Sequence, residues 1–346
     1  MLVLLYRLYH VRNGSTSNIN FGCFGAAKIA PGALINPSRT HPEVILYAVA
    51  ARDTARAEAF AKSTDSRRAM RQERSQVDVI YNPLPNGLHF EWTMKALKGG
   101  KHVLLEKPAT NTAAEAAQIY SLAAAKSLVV LEAFHYRFHP AVQRVKAILE
   151  SKELGAIKSI RYELGGGSTM DPGCYTVNAL RYLASANPTA VLTASAHDKV
   201  DKMFTATLAL EHDIIGELHS NLCEPKLFGI IPRIPKLTAT VRCEAGTVEI
   251  FNFLIPSYYH YITVTPTGKL ARVEKAYTFE GAAKGEDWWT TYRYQLEAFV
   301  DKIQGRTPQT WVEPQDTIDN MKWIEEIYAK DGFGSRPPSK YVYEEN

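Results

Sequence analysis

The sequence predicts an α/β fold: an N-terminal doubly wound parallel sheet, then a C-terminal α+β domain built on a large, mostly antiparallel sheet. Three observations carry this. Up to about residue 138, short apolar runs alternate with helical patterns, the order of parallel strands joined by crossover helices. Beyond that point strand-like runs follow one another across short turns, which favours antiparallel neighbours. The chain of 346 residues is also longer than one core comfortably fills, so two domains are expected.

Residues 19–23 read as a short strand running into a glycine/alanine turn and a helix. Residues 44–51 form an unbroken apolar run of the kind buried in a parallel sheet, and the Ala-rich stretch 54–62 is helical. Strands at 77–81 and 103–105 flank a helix over about 88–97. Thr112 and Glu115 make a capping box for a helix to about Lys126, and 128–131 closes the series. After His139-Pro140, a helix to about Glu150 leads to a strand at 157–164 and a helix at about 174–183. Strands then dominate at 190–196, 203–210, 214–222, 237–243, 247–253 and 258–265. Two helices, about 288–304 and 314–329, finish the domain.

Composition excludes several classes. Lys+Arg 40 against Asp+Glu 36, with no basic repeat, gives no reason to expect nucleic acid as partner. Cys23, Cys174, Cys223 and Cys243 show no metal-ligand or disulfide spacing, so no metal is expected and a reducing, cytoplasmic compartment fits. The apolar start carries Arg7 within it and no cleavage site, which reads as a tail or a misassigned start and not as a leader. No apolar run is long enough to span a membrane.

The turn after the first strand carries Gly22, Gly25, Ala26, Ala27, Lys28 and Ile29. Small residues here let the backbone approach a pyrophosphate at a helix N-terminus, as in Rossmann dinucleotide sites. The spacing is not a strict GxGxxG, and the turn serves equally well to pack helix on strand. The second strand ends in Arg52-Asp53. An arginine there suits the 2′-phosphate of NADP, while Asp53 suits an N-cap of the next helix; NAD is the less favoured alternative.

Further segments carry chemistry: Asn82-Pro83-Leu84-Pro85-Asn86-Gly87-Leu88-His89, Glu106-Lys107-Pro108, the run from Glu132 through His135 and Arg137 to Pro140, and Met170-Asp171-Pro172-Gly173-Cys174-Tyr175. In this order they resemble the glucose-fructose oxidoreductase/inositol dehydrogenase/MocA (Gfo/Idh/MocA) family. The likeness is greatest to its dimeric dihydrodiol dehydrogenases and NADP-dependent D-xylose dehydrogenases, and covers roughly 19–341.

The resemblance implies an NADP-dependent oxidoreductase acting on a pentose-like sugar or a cyclic diol or carbonyl compound. Lys107 would contact the nicotinamide ribose and the reacting oxygen, and Tyr175 would be the general acid/base. A phenol of ordinary pKa about 10 needs such a cation to work near neutrality. Asp171 would orient Lys107 or the substrate, or merely cap the helix. Besides the glycine turn and Arg52, the cofactor is expected to meet Asn82, Leu84, Pro85, Asn86, His89, Glu106, Lys107 and Arg137. His135, Trp288 and Tyr292 are substrate candidates, although aromatic residues at helical spacing, as the last two are, more often belong to a core. Pro108 is expected to follow a cis bond to Lys107.

The expected domains are a tail over 1–18, a dinucleotide-binding domain over 19–138, a substrate and dimerisation domain over 139–335, and a surface tail over 336–346. The family's habit of pairing through the open sheet implies a homodimer. Relatives carry a strand-helix unit where 64–76 is short and charged, with Arg67, Arg68, Arg71 and Arg74 either solvated or helping to hold the adenosine phosphate. Two other functions stay open: a specialised biosynthetic reductase or redox-neutral lyase/isomerase on this scaffold, and a non-catalytic dinucleotide-binding regulator.

Overall fold

In the computed structural model, residues 4–7, 18–51, 53–63, 77–165, 173–197, 203–221, 237–281, 284–332 and 334–343 are described. They fall into two units. The first comprises Met1–His135, Tyr292–Thr317 and Pro337–Asn346; the second comprises Tyr136–Thr291 and Ile318–Arg336. The division therefore takes two late segments back to the first unit instead of cutting the chain once.

The first unit holds a six-stranded sheet of β1 (Leu4–Arg7), β2 (Ile19–Phe24), β3 (Val44–Ala51), β4 (Val79–Asn82), β5 (His102–Leu105) and β6 (Val130–Glu132). The spatial order is β1-β3-β2-β4-β5-β6. Strands β2 to β6 are parallel, as the alternating pattern predicts. All four residues of β4 are buried and β3 is buried almost throughout, which explains their unbroken apolar character. Within the stretch expected to be a tail, 1–18, residues 4–7 form a strand: β1 pairs antiparallel with β3, Leu4 opposite Ala51. That pairing satisfies an edge whose N–H and C=O groups would otherwise face outward. The short charged stretch 64–76 lies outside the described residues.

Between these strands run a single π-helical turn, Pro31–Ile35, continuing into α1 (Asn36–Arg39), then α2 (Thr54–Ser63), α3 (His89–Lys98) and α4 (Ala113–Ala125). The capping box of α4 forms as its sequence predicts: Thr112 accepts from the Glu115 amide, and the Glu115 carboxylate accepts from the Thr112 amide. The helix α7 (Thr291–Ile303) starts after Trp288 instead of at it. Phe299 of α7 meets Phe21 of β2 edge to face, with centroids 6.1 Å apart, and Arg306 pairs with Glu43 at 2.8 Å. These contacts are what return 292–317 to the first sheet. The C-terminal segment also docks there: Asn111 donates to the Pro337 carbonyl at 3.2 Å, and Tyr341 meets Phe90 with centroids 6.2 Å apart.

The second unit contains α5 (Pro140–Glu150), α6 (Cys174–Ala184) and strands β7 (Ile157–Gly165), β8 (Pro188–His197), β9 (Met203–Leu210), β10 (Ile215–Asn221), β11 (Leu237–Cys243), β12 (Gly246–Phe251), β13 (Tyr261–Pro266) and β14 (Arg272–Glu274). α8 (Pro314–Asp331) follows. The eight strands form one sheet, ordered β14-β13-β12-β11-β7-β10-β9-β8, antiparallel except where β10 meets β7. Burial alternates along β11 and β12, so one face is covered and the other open. On the covered face Leu180 of α6 presses so closely on Gly216 that a Cβ there would lie 2.4 Å from its Cδ2. Among the described residues no helix is long and apolar enough to cross a membrane.

Candidate active site

The glycine turn lies at the carboxyl end of β2, beside a cavity of about 770 Å³. Gly25 has φ +78°, the left-handed region, and a Cβ on it would meet Leu84 Cδ2 at 3.1 Å. Glycine is thus required twice, by backbone conformation and by space. The Gly25 amide donates to the Ala50 carbonyl at 2.6 Å, closing the turn onto the end of β3. Gly25, Ala26, Ala27, Lys28 and Ile29 all line the cavity. Gly22 does not. It sits within β2, where a Cβ would lie 3.1 Å from Ile80 and Val77, so its smallness serves packing.

At the end of β3 the structure separates two roles. Asp53 Oδ1 accepts the Arg56 amide at 2.7 Å, so the carboxylate caps α2, as expected. The Arg56 side chain lines the cavity with Ala50 and Ala51. Arg56 was missed in the sequence; its place three residues past a capping aspartate, at the end of the second strand, was the available signal. Arg52 lies outside the described residues. An open groove of small residues with a guanidinium at its rim fits the pyrophosphate and 2′-phosphate of NADP.

The loop after β4 contributes Pro83, Leu84 and Pro85 to the cavity, the one-turn helix before α3 adds Leu88, and α3 adds Glu91 and Trp92. Asn82 and His89, expected at the cofactor, are instead buried inside the scaffold. Asn82 donates to the His89 carbonyl at 3.2 Å and to Thr93 Oγ1 at 3.0 Å. The His89 ring approaches the Leu84 carbonyl at 2.6 Å through Nε2 and the Pro108 carbonyl at 2.8 Å through Nδ1. Polar side chains beneath a loop of prolines supply it with hydrogen bonds. Asn86 opens the one-turn helix before α3, outside the cavity wall.

Glu106 and Lys107 follow β5 at the carboxyl edge of the sheet, where ligands bind in such folds. The Lys107–Pro108 bond is cis, as expected. Tyr81 donates its hydroxyl proton to Glu106 Oε1 at 2.7 Å, both side chains being buried. His135 follows β6 and stacks on Tyr292 with centroids 4.0 Å apart. Burial first, and the positive charge of Lys107 second, push the His135 pKa down to about 3. Two of the three substrate candidates thus meet, and one of them, His135, feels the charge of Lys107.

In the second unit Tyr175 stands in the first turn of α6, 6% exposed, its ring edge to face with Tyr136 at 5.9 Å. Asp171 lies outside the described residues. Arg137, expected at the cofactor, is buried and lies with its guanidinium carbon 4.1 Å from the centre of the Tyr182 ring. Gln143 donates to the Arg137 carbonyl. These contacts lie within the second unit, and Arg137 is not among the residues that line the cavity beside Gly25. Trp288 is exposed and Trp289 is buried.

Comparison with known proteins agrees with this geometry. Residues 19–134 match the family model described as "Oxidoreductase family, NAD-binding Rossmann fold", and 158–249 match the GFO/IDH/MocA C-terminal domain. The D-xylose 1-dehydrogenase (NADP(+)) 2 of Haloferax volcanii is 31% identical over 336 residues, 89% of this chain and 96% of its own. A dTDP-3,4-didehydro-2,6-dideoxy-alpha-D-glucose 3-reductase from Saccharopolyspora spinosa is 35% identical over 200 residues, 52% of this chain and 60% of that protein. Among solved structures, a 3-ketoreductase from Actinomadura kijaniata in complex with TDP-benzene and NADP shares the fold, with a TM-score of 0.74 at 22% identity over 89% of this chain and 96% of that one. With a relative this similar across its length, and both domain models matched in order, the chain belongs to the Gfo/Idh/MocA family of oxidoreductases.

Proposed function

We propose that this oxidoreductase moves hydride between NADP and a carbinol carbon of a pentose-like sugar or cyclic diol, or the corresponding carbonyl, with Lys107 and Tyr175 managing the proton. The observation that carries the reading is the cavity over Gly25 with Arg56 in its wall and Asp53 turned away to cap α2. A carboxylate left free at that point would select the 2′-hydroxyl of NAD; a guanidinium selects the 2′-phosphate. The substrate class follows the relatives named D-xylose 1-dehydrogenase and trans-1,2-dihydrobenzene-1,2-diol dehydrogenase.

The nicotinamide ring, when bound, supplies the hydride-exchanging carbon. The chain's own residues do the rest. The backbone of 25–29 receives the pyrophosphate, and Arg56, with Arg52, pairs with the 2′-phosphate. The Lys107 ammonium orients the ribose and the reacting oxygen. In the oxidative direction Tyr175 Oη takes the alcohol proton; in the reductive direction it gives that proton to the carbonyl oxygen. A phenol ionises at about 10 in water, so a neighbouring cation is what makes the proton available near neutrality. Asp171 orients Lys107 or the substrate. The neutral His135 ring, backed by Tyr292, offers a hydrogen-bonding wall for a sugar hydroxyl, and Trp288 a stacking surface. The open face of the second sheet pairs two copies into a homodimer. Free thiols at Cys23, Cys174 and Cys243 suit the cytoplasm.

A second reading, reduction of a nucleotide-linked keto sugar, is favoured by the 35% identity to the dTDP-sugar 3-reductase. One experiment separates them. The purified protein is titrated with NADPH and NADH by fluorescence, then assayed with D-xylose, trans-dihydrodiols and a dTDP-3-keto sugar. Tight NADPH binding and turnover of a free sugar or diol support the first reading; turnover of the dTDP sugar alone supports the second. Failure to bind either nucleotide would end both.

A further inference from the structure

We propose that His89 is a positioning residue that ties the cofactor-lining loop after β4 to the Lys107 loop after β5. The inference rests on the reading that these two loops serve NADP and Lys107. Its ring spans them: Nε2 lies 2.6 Å from the Leu84 carbonyl and Nδ1 2.8 Å from the Pro108 carbonyl. Leu84 lines the cavity and is the residue a Cβ on Gly25 would strike. Pro108 is the residue after Lys107. The ring is 1% exposed, so it meets protein and not solvent. Asn82 steadies the base of this brace by donating to the His89 carbonyl and to Thr93.

The Glu106 amide also donates to the Asn82 carbonyl at 3.1 Å and the Ala109 amide to Glu132 Oε1 at 2.9 Å, but neither bond reaches Leu84 or Pro108, the residues that the His89 ring spans. Pro83, Pro85 and Pro108 lack backbone N–H groups, so these loops have fewer donors with which to bind each other or the scaffold. Both atoms facing the ring are carbonyl oxygens, which only accept, and a neutral imidazole carries a single N–H. Burial, aided by the charge of Lys107 and opposed by the two carbonyls, takes the His89 pKa down to about 4. The ring is therefore neutral at pH 7 and shares one proton between two loops. Whichever nitrogen holds it, a shift of one loop changes how the other is held. Binding at Leu84 and the placing of Lys107 become linked through one side chain.

The test compares the wild type with His89→Phe, which keeps the ring volume without donors, and His89→Gln, whose amide nitrogen has two N–H groups. Hydrogen exchange on the cofactor-free protein should show residues 84–89 and 106–110 losing protection together in His89→Phe, by about tenfold, the worth of one net hydrogen bond. The Kd for NADPH should rise by a similar factor, and turnover at saturating NADPH should fall as well. His89→Gln should return all three to within about threefold of wild type. A residue that served stability alone would lower Tm without this rescue or this paired loss. Exchange that rises in one loop only, or in neither, overturns the proposal. Should His89→Phe not fold, the wild type decides: a slowly exchanging imidazole N–H resonance in contact with Leu84 or Pro108, with the ring's carbon-bound protons in contact with the other loop, is expected, and its absence overturns the proposal. Because the exchange experiment needs neither cofactor nor substrate, an inactive wild type would sink the proposed function without touching this result.

Discussion

His135 closes the first segment of the first unit and Tyr292 opens its second, and the two stack with ring centroids 4.0 Å apart and planes tilted by 31°. Aromatic contacts of this kind add about 0.5–1.5 kcal/mol beyond area burial. Here the pair also keeps a histidine, held neutral by burial and by Lys107, beside the loop that follows β5. Removing the ring by Tyr292→Ala should lower Tm by a few degrees and raise KM for the sugar more than the Kd for NADPH. Equal effects on both constants would argue that the stack is only a packing element.

Arg56 should discriminate between the two nucleotides. Its replacement by alanine removes one charge-assisted contact, worth about 1.5–3 kcal/mol, or about tenfold to a hundredfold in affinity. Arg56→Ala is expected to raise the Kd for NADPH by that factor and leave NADH within about twofold. Fluorescence titration reads both; a parallel loss for the two nucleotides would remove Arg56 from the 2′-phosphate.

Lys107→Met and Tyr175→Phe should cut kcat by about 10²- to 10⁴-fold, the usual contribution of positioned acid/base groups. NADPH binding should stay near wild type in Tyr175→Phe, because the ring still packs against Tyr136 and only the hydroxyl is lost. Single-turnover rates isolate the chemical step. A protein without measurable turnover whose Lys107→Met variant keeps full biological function would instead favour a regulator that only binds dinucleotide.

Gly25→Ala places a side chain at φ +78° with its Cβ 3.1 Å from Leu84. Left-handed backbone costs a non-glycine residue roughly 1–2 kcal/mol, so Tm should fall by a few degrees. Cofactor affinity should fall further than stability, because the methyl also narrows the cavity. Unchanged NADPH binding in a folded Gly25→Ala protein would show that the turn does not receive the pyrophosphate.

Acid should destabilise the protein before any carboxylate titrates. Burial leads the fall of His89 to about 4, His135 to about 3 and His139 to about 3. An unfolded chain protonates each near about 6.5. Between those values the unfolded state binds more protons, so stability present above about pH 6.5 is lost as pH falls. The slope is about 1.4 kcal/mol per pH unit for each ring while it lasts. Urea midpoints at pH 7 and pH 5 measure it, and His135→Phe should flatten the decline. His135 should add no step to the pH–rate profile between pH 5 and 9.

The homodimer is tested by sedimentation at micromolar concentration. A charge placed on the open face, Thr240→Glu beside Glu249, should shift the protein toward monomer by setting like charges in contact across neighbouring strands and copies. A wild-type monomer would remove the proposed pairing.

Local rules explain what the sequence by itself determined. The unbroken apolar run of β3, the capping box at Thr112, the cap at Asp53 and the glycine at 25 each depend on neighbours within a few residues. Order of elements, fold class and the placing of Lys107 at a strand end follow from the same periodicity, and the resemblance of ordered motifs extended it to cofactor and chemistry. Tertiary structure alone decided which side of a scaffold each polar group serves. Asn82 and His89 look like ligands in a string of letters, and in the fold their rings and amides face backbone carbonyls inside the protein, while the Arg137 guanidinium lies over the Tyr182 ring. Arg56 looks like an ordinary helix-surface arginine and lines the cavity. The strand Leu4–Arg7 and the return of 292–317 rest on pairing and packing across long stretches of chain. A side chain's partner is fixed by the backbone that packing brings within about 3 Å of it, and that distance is set by the whole fold, not by the residues on either side.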